Sequence, residues 1–482
     1  MCAPDRYFDR AEGTLERREL PPTVKSVARR PSRRGALGLT VGLVLADSSI
    51  VVLALPEIYR DLDVSVSGVT WVLVAFNLVL AICAVPAAVV ARGGGAARTT
   101  IAGLAVFGAA SLGCGLAPTL GVLLASRCLQ AVGGAAAVCG ALELLPAELG
   151  SERDAARVWA AAGALGAALG PAVGGLLTEL VSWQSIFLVQ VPAIAGAAAV
   201  LAPGSLASKP AVDDSGPPGR PHLAANIALG LVAAALVAAL FLIVLLLIEG
   251  WRLSPIAAAA AVSVMPLAAL VGAPLARSVR SPAARAAAGA ILICGGLAAL
   301  GLLPKALVAA TFPSQVMTGV GLALSLSALT EAALEGRSLQ AIHGGWTIAS
   351  RHAGVVAGLL VLTPVFTSDL SEERSAAEQA GTAALLDARL PPLLKIEIAG
   401  RLADRLQQER GRVPVLEPAF EPPPGGTADR GAVRGLQDEL QDQLDRAATH
   451  AFSNSFLIAA AFALAALLPI AIVRRRPREL SL

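Results

Sequence analysis

Long apolar stretches alternate with short polar loops along most of the chain, from about residue 35 to residue 473. Each stretch is close to the roughly 20 residues that a helix needs to cross the hydrocarbon core of a bilayer. All of these stretches are predicted to be helical. They lie at 35–56, 69–91, 98–117, 119–144, 157–181, 184–203, 223–248, 255–276, 285–304, 306–330, 342–366 and 451–473. The pattern predicts an all-α polytopic membrane protein with twelve transmembrane helices.

Charged and proline-rich regions interrupt this pattern and divide the chain. The first 34 residues carry nine lysines and arginines, and a polar linker rich in proline follows the sixth span. A longer polar region lies between spans eleven and twelve, so we expect two six-helix bundles with one large insertion. The predicted regions are a basic tail (1–34), a first six-helix bundle (35–203), a linker (204–222), helices seven to eleven (223–366), the insertion (367–450), helix twelve (451–473) and a second basic tail (474–482).

The basic residues predict the orientation of the chain. Sorting the short loops alternately places about 23 lysines and arginines on the side of both termini and about 3 on the other side. Because cytoplasmic loops carry the excess of positive charge, both termini are expected in the cytoplasm and the insertion outside it. An even number of spans agrees with this arrangement.

The insertion at 367–450 has 15 acidic and 10 basic side chains. Leucine or isoleucine recurs every four residues from Ile398 to Leu406 and from Leu436 to Leu444, which predicts two short amphipathic helices. The Glu-Pro-Pro-Pro sequence at 421–424 separates them. Two interpretations stay open. The insertion is a solvated tether with some helix, or it is a cap that binds a protein partner or takes part in gating.

Composition excludes several classes of protein. Hydrophobic residues make up 55% and charged residues 15%, with a mean hydropathy of +0.69, so a water-soluble core is excluded. The net charge of +3 gives no basic footprint for nucleic acid. The six cysteines form no CxxC pair and no metal-ligand spacing. No HExxH sequence and no nucleophile with its base is present, so we expect neither an enzyme nor a bound metal or cofactor.

Asp47 is the carboxylate that lies well inside the first span, where a charge costs several kcal/mol on roughly any insertion scale. At 1.5 Å per residue it lies roughly 18 Å from the start of its helix. Arg127 lies about eight residues into the fourth span, which runs in the opposite direction, so the two side chains are expected at nearly the same depth. The sequence therefore predicts that Asp47 and Arg127 form a pair.

This pair can be interpreted in two ways. A carboxylate beside a guanidinium stays ionised, and separating the two in a dry environment favours the protonated acid, so a conformational change could drive proton uptake and release. We expect Asp47 and Arg127 to couple transport to protons in this way. The alternative is a static buried ion pair that only fixes the packing of the helices.

Other residues within the spans suggest packing and binding roles. Glycines spaced four apart in the fifth span predict a close approach of another helix, and a proline beside them permits a bend. Two interpretations stay open, because the strip could serve helix packing alone or could also seal the contact between the two bundles. Its residues are Gly166, Gly170, Pro171, Gly174 and Gly175.

The remaining polar and aromatic residues inside the spans are candidates for substrate binding. Aromatic residues make up only 4% of the chain, so stacking surfaces for large planar cations are sparse. A second polar site, for protons or for an acidic substrate, is suggested by Arg351 and His352, although both are expected near the start of their helix, where they could snorkel. The candidates for substrate binding are Phe76, Asn77, Gln130, Gln190 and Trp346.

Five sequences in the first half resemble motifs of the major facilitator superfamily, specifically its drug/proton antiporter branch. They are LADSSIVVLALP at 45–56, WVLVAFNL at 71–78, RCLQAVGGAA at 127–136, GAALGPAVGG at 166–175 and WQSIFLVQVP at 183–192. The resemblance covers about residues 35–475 and is strongest before residue 195. One departure is the loop at 91–98, where the family carries an acidic residue and this chain has none.

The resemblance implies the major facilitator fold and a secondary active transporter that exports small amphipathic or drug-like molecules by alternating access, in exchange for protons. Its partners would be the lipid bilayer, protons and a small-molecule substrate, and its location the inner membrane of a bacterium. The alternative, suggested by the missing acid and the unusual insertion, is a transport-silent membrane scaffold whose insertion binds a partner.

Overall fold

All regular structure in the described part of the chain is helical. The computed structural model describes residues 33–202, 219–274, 279, 281–334, 340–408, 416–420 and 430–474. Most of the predicted N-terminal tail, most of the predicted linker, the proline-rich break at 421–424 and the C-terminal tail after residue 474 lie outside the described residues.

The first half consists of six helices that start and end at recognisable signals. Ser65, Thr119 and Ser151 each accept a hydrogen bond from the backbone N–H three residues on and so cap helices two, four and five. Gly150, at φ 72°, ends helix four in the left-handed conformation that favours glycine. The helices are α1 (Arg33–Asp61), α2 (Val66–Gly94), α3 (Ala96–Gly115), α4 (Leu120–Leu149), α5 (Glu152–Leu180) and α6, in two segments (Ser185–Leu188 and Gln190–Val200).

The second half repeats this arrangement and adds helices of the insertion. Proline at the first position starts α8 and α9, where its missing N–H costs nothing. The helices are α7 (Leu223–Leu245, extended by the π-helical turn Leu246–Gly250), α8 (Pro255–Val262 and Val264–Gly272), α9 (Pro282–Gly301), α10 (Val308–Leu334), α11 (Gln340–Asp387), α12 (Pro392–Gln408), α13 (Arg430–Ala451) and α14 (Ser453–Ala465 and Leu467–Arg474).

The membrane spans agree with the predicted fold class. Within the described ranges, eleven helices are long and apolar enough to cross a membrane, and α6 is a shorter apolar helix over 185–200. Counting α6 gives twelve spans, and the twelfth is α14. We refer to the end of the bundle where α1 begins as the terminal end, and to the end that carries residues 367–450 as the insertion end.

Two hydrophobic clusters hold the spans together. The larger cluster joins both halves at the insertion end and includes Leu55 of α1, Phe187 of α6, Phe241 of α7 and Phe456 of α14. The smaller cluster lies toward the terminal end of the first half, where Ile348 of α11 is also buried. The buried apolar contacts between the two halves are therefore concentrated at the insertion end.

The insertion is a folded unit with its own core. α12 and α13 are the two amphipathic helices that the sequence predicts, and α11 continues beyond the membrane-spanning residues to Asp387, which the sequence did not predict. Side chains from all three helices pack together, with Leu416, Ala419 and Phe420 between them. A shared core argues against the solvated-tether interpretation. The core residues on the helices include Leu385, Leu394, Ile398, Val433, Leu436 and Leu440.

Candidate functional site

Asp47 and Arg127 form an ion pair in the interior of the first half. Asp47 Oδ2 accepts a hydrogen bond from Arg127 Nη1, and both side chains are 0% exposed. The contact between α1 and α4 that was expected from residue depths is therefore present. Because neither side chain reaches solvent, each of these two groups is the direct counter-charge of the other.

Two amides complete the surroundings of the carboxylate. Gln130 Nε2 of α4 and Gln190 Nε2 of α6 donate to Asp47 Oδ1, at 3.2 and 3.1 Å. Gln130 Oε1 accepts from Arg127 Nη1 at 2.5 Å, and Gln130 Nε2 also donates to Ser111 Oγ of α3 at 2.9 Å. Side chains of α1, α4 and α6 thus meet at one carboxylate, and Ser111 of α3 is connected to it through Gln130. We call Asp47, Arg127, Gln130 and Gln190 the carboxylate cluster.

Aromatic rings cover the guanidinium of Arg127. Its Cζ lies 4.1 Å from the ring centroid of Phe76 and 5.6 Å from that of Phe187, and Nε donates to the carbonyl oxygen of Val72 at 3.3 Å. Cation–π contacts of this kind stabilise a desolvated arginine. Phe76 is 0% exposed, so in this conformation its ring contacts Arg127 and is not an open binding surface.

Two of these residues were predicted to bind substrate, and two others were not singled out from the sequence. Gln130 and Gln190 were expected in a substrate pocket, but the structure brings them to Asp47. Ser111 was not singled out, and nothing in its sequence context distinguishes it. Phe187 could have been identified, because it lies three residues before Gln190 in the motif at the start of the sixth span.

Some buried atoms of the carboxylate cluster lack a partner. Arg127 Nη2 and Gln190 Oε1 make no hydrogen bond with the described residues although both are buried. An unsatisfied buried polar atom costs about 1–3 kcal/mol. The cluster therefore gains hydrogen bonds in any conformation that brings a partner to these atoms.

A hydrogen bond links the two halves beside the cluster. His352 Nδ1 of α11 lies 2.6 Å from Asn77 Oδ1 of α2, and Ser48 Oγ of α1 donates to the same oxygen at 3.5 Å. Asn77 Nδ2 donates to the carbonyl oxygen of Leu73, so the side chain is fully engaged. Because Ser48 adjoins Asp47, His352 lies at the depth of the carboxylate.

This contact changes the interpretation of Arg351 and His352. The sequence placed both near the start of the eleventh helix, where they could snorkel to the interface. Arg351 is the twelfth residue of α11, about 17 Å along it, and its neighbour reaches the level of Asp47. The snorkelling interpretation is therefore wrong, and both residues lie deep in the protein.

Trp346 does not join these residues. It is 40% exposed and belongs to a stripe of exposed positions along α11. These positions recur with the helical repeat and lie about 100° around the helix from the face that contacts α2. An outward-facing tryptophan on a membrane helix suits contact with lipid. The exposed stripe consists of Trp346, Ala353, Ala357, Leu360 and Pro364.

The glycine strip of α5 mainly packs the first half together. A Cβ on Gly166 would overlap the carbonyl oxygen of Gly42, and one on Gly174 would overlap that of Ile50, while Gly170 faces Ser49. All three partners belong to α1. Gly175 faces the second half, against Ala259 and Pro255 of α8, while α5 runs without a break through Pro171. The contacts of Gly166, Gly170 and Gly174 favour packing within the first half over a seal between the two bundles.

Polar contacts join the halves at the insertion end. Arg60 Nη2 of α1 donates to Glu249 Oε1, in the π-helical turn after α7, at 2.6 Å. Glu179 Oε2 at the end of α5 accepts from the backbone N–H of Ile256 at 2.6 Å, which places a carboxylate at the N-terminus of α8. These contacts close the insertion end above the carboxylate cluster.

The terminal end has a different charge pattern. The turn between α2 and α3 is a single residue, Gly95, at φ 97°. Arg92, just before it, interacts electrostatically with Glu143 of α4. The loop at 91–98 contains no acid, but Glu143 of another helix thus interacts with its residue Arg92.

Twelve apolar spans in two halves, with an ion pair buried inside one of them, define a polytopic protein of the transporter class. The chain matches the Major Facilitator Superfamily over residues 37–374 and belongs to that family. The family and the fold class expected from the sequence motifs are confirmed.

Among curated proteins, similar ones are named for drug resistance. Multidrug resistance protein Stp of Mycobacterium tuberculosis is 36% identical over 160 residues, which is 33% of this chain and 30% of Stp. The methylenomycin A resistance protein of Streptomyces coelicolor is 33% identical over 264 residues, which is 53% of this chain and 50% of that protein. The chain spans half or less of the length of these relatives.

Solved structures support the fold. A bacterial homologue of the human lysosomal transporter Spinster, in an inward-facing and unoccupied conformation, aligns with a TM-score of 0.59 at 17% identity, over 94% of this chain and 100% of that chain. A POT family transporter in complex with a thioalcohol-conjugated peptide aligns with a TM-score of 0.55 at 13% identity, over 69% of this chain and 91% of that chain. At these identities the likeness concerns the fold alone.

Proposed function

We propose that this chain is a proton-coupled exporter of small amphipathic or drug-like molecules in a bacterial inner membrane, with both termini in the cytoplasm. The observation that carries the proposal is the carboxylate cluster, a titratable group enclosed by a guanidinium and two amides within one half of a major facilitator fold. Its relatives are named for resistance to drugs, which supports export. The distribution of lysine and arginine supports the orientation.

The coupling follows from the charge balance of the cluster. With Asp47 ionised, Arg127 is neutralised and the two stay together. When Asp47 takes up a proton, Arg127 keeps its charge but loses its counter-charge, so the buried pair no longer compensates itself and separation becomes favourable. Because Asp47 is 0% exposed, proton exchange requires a conformation that opens the cluster to water.

The first helix can transmit this change to the insertion end. α1 carries Asp47 and, thirteen residues further on, Arg60, which is bound to Glu249 of the second half. At 1.5 Å per residue the two sites are about 20 Å apart along one helix. A displacement of α1 on protonation therefore reaches the contact that closes the insertion end, as alternating access requires.

The scaffold alternative is not favoured. Family membership and the resistance-related relatives point to transport. The insertion is nevertheless folded, and we keep binding of a protein partner at residues 367–450 as a property that a transporter could also have. Deleting residues 372–445 tests this, since transport that survives the deletion would exclude an obligatory role for the insertion.

Proton-coupled transport can be tested in proteoliposomes that enclose a pH-sensitive dye. Adding members of a compound panel to liposomes under a pH gradient should release protons through the native protein and not through D47N. D63N is the matched control, because Asp63 lies exposed between α1 and α2 at φ 48°, a conformation that asparagine adopts readily. Equal proton movement by D47N and the native protein would refute the role of Asp47.

A further inference from the structure

Arg351 lies deep in the membrane-spanning part of the protein without a counter-charge. Its guanidinium makes no hydrogen bond and no ion pair with any residue in the described ranges, and its titratable neighbour is His352, which is also a base. Asp47, the carboxylate at the same depth, is already bound by Arg127. An arginine in this position needs an explanation, since a charge at the centre of a membrane helix is costly to insert.

The side chain of Arg351 is directed toward the interior. Gly345 and His352 mark the face of α11 that contacts α2, and Gly354 and Gly358 mark the face that contacts α7. At 100° per residue, Arg351 falls between these two faces and on the side opposite the exposed stripe. It therefore points between the two halves of the protein, and it is only half-buried there.

The acidic residues of the described spans do not neutralise the charge of Arg351 in this conformation. Within the described helices, the carboxylates of the membrane-spanning segments other than Asp47 lie within about six residues of a helix end, at either surface of the bundle. At the central depth the charges are one carboxylate and two guanidinium groups, so the net charge is +1. An anion is the species that this arrangement lacks.

We propose that Arg351 binds the anionic group of the transported molecule, and that the substrates are amphipathic organic anions such as aromatic or aliphatic carboxylates. This rests on the proposed function. A guanidinium binds a carboxylate through two parallel hydrogen bonds, which favours this group over a neutral one of the same shape. The low aromatic content is consistent with the proposal, because binding sites for organic cations rely on aromatic faces.

Binding can be measured on the purified protein by thermal unfolding in the presence of paired compounds. Each pair consists of an aromatic carboxylate and its primary amide, for example naphthalene-2-carboxylate and naphthalene-2-carboxamide, with naphthalen-2-ylmethylamine as the cationic counterpart. We expect carboxylates to raise the Tm of the native protein more than their amides. In R351Q the affinity for carboxylates should fall by about tenfold or more while that for amides is unchanged, and R351K should keep part of the preference.

The matched control is R157Q. Arg157 is exposed near the terminal end of α5, and among the described residues it pairs with Asp154 three residues before it. The substitution therefore removes one positive charge without touching the interior. A preference for carboxylates that persists unchanged in R351Q would overturn the proposal. So would a panel in which no carboxylate exceeds its amide, or in which the amines bind best.

Transport measurements separate this inference from the proposed function. If the native protein moves protons only with amines or neutral compounds, proton-coupled transport stands and the role of Arg351 falls. If no compound moves protons through the native protein, the proposed function itself fails. If carboxylates drive proton movement in the native protein and R157Q but not in R351Q, both hold.

Discussion

Removing the charge of Asp47 alone or of Arg127 alone should destabilise the protein strongly. Removing both charges together should cost less stability than the sum of the two single losses. D47N leaves a guanidinium buried without a counter-charge, and R127Q leaves a carboxylate in the same situation. The two side chains are 0% exposed and contact each other directly, so neither can turn to solvent in this conformation. The double variant D47N/R127Q removes both charges and keeps side chains of similar shape.

The size of the effect follows from the burial of the pair. Breaking a buried ion pair by removing one partner costs about 3–5 kcal/mol, whereas replacing both partners by neutral groups is often much less costly. We therefore expect each single variant to lose stability on the order of 3 kcal/mol or more. The double variant should lose clearly less than the sum, with a coupling energy of about 2–3 kcal/mol.

A thiol-reactive dye provides the assay. Cys114 and Cys139 are buried in the first half and become reactive when it unfolds. With the other four cysteines replaced by serine, the dye reports the melting of the half that contains the pair. The Tm of the double variant should be higher than that of the less stable single variant. A double variant whose Tm loss equals the sum of both single losses would show that the pair contributes no coupling, and the reasoning would be refuted.

Two further predictions concern helix packing and the closed insertion end. G166L should prevent α5 from approaching α1, since even a Cβ would overlap the carbonyl oxygen of Gly42. The amount of folded protein in size-exclusion profiles should therefore fall sharply. The control G196L, at a glycine with nothing within 4 Å of an added Cβ, should behave like the native chain. E249Q should weaken the link to Arg60 by no more than about 1 kcal/mol because the pair is partly exposed. It should nevertheless increase thiol labelling of cysteines introduced on the terminal-end side of this pair. Unchanged labelling would contradict a gating role.

The fold could be read largely from hydrophobic patterning, but the extent of α11 could not. Span prediction follows hydropathy, and hydropathy falls at Asp369, where the helix leaves the apolar region. The sequence after that point, SEERSAAEQAGTAALLD, consists mainly of good helix formers, so the helix continues to Asp387. Hydropathy indicates where α11 leaves the membrane, but it does not indicate where the helix ends.

The sequence predicted the part of the candidate site for which depth along the helices was sufficient information. Asp47 and Arg127 are charged, so counting residues along two antiparallel helices was enough to pair them. Gln130 and Gln190 are neutral, and their residue type does not say whether they face a pocket or another side chain. Arg351 was misplaced because counting from a predicted helix start ignores how α11 packs against α2. The contact of its neighbour His352 with Asn77 sets the depth of both residues.

One continuous helix, α11, carries both the membrane-embedded Arg351 and, at Leu385, part of the core of the insertion. The two residues are 34 positions apart, about 51 Å along the axis. A tilt of this helix by about 10° near the membrane centre would carry its far end roughly 9 Å sideways. A fluorescent label on the insertion should therefore report movements of α11 in the second half, without any modification near Arg351.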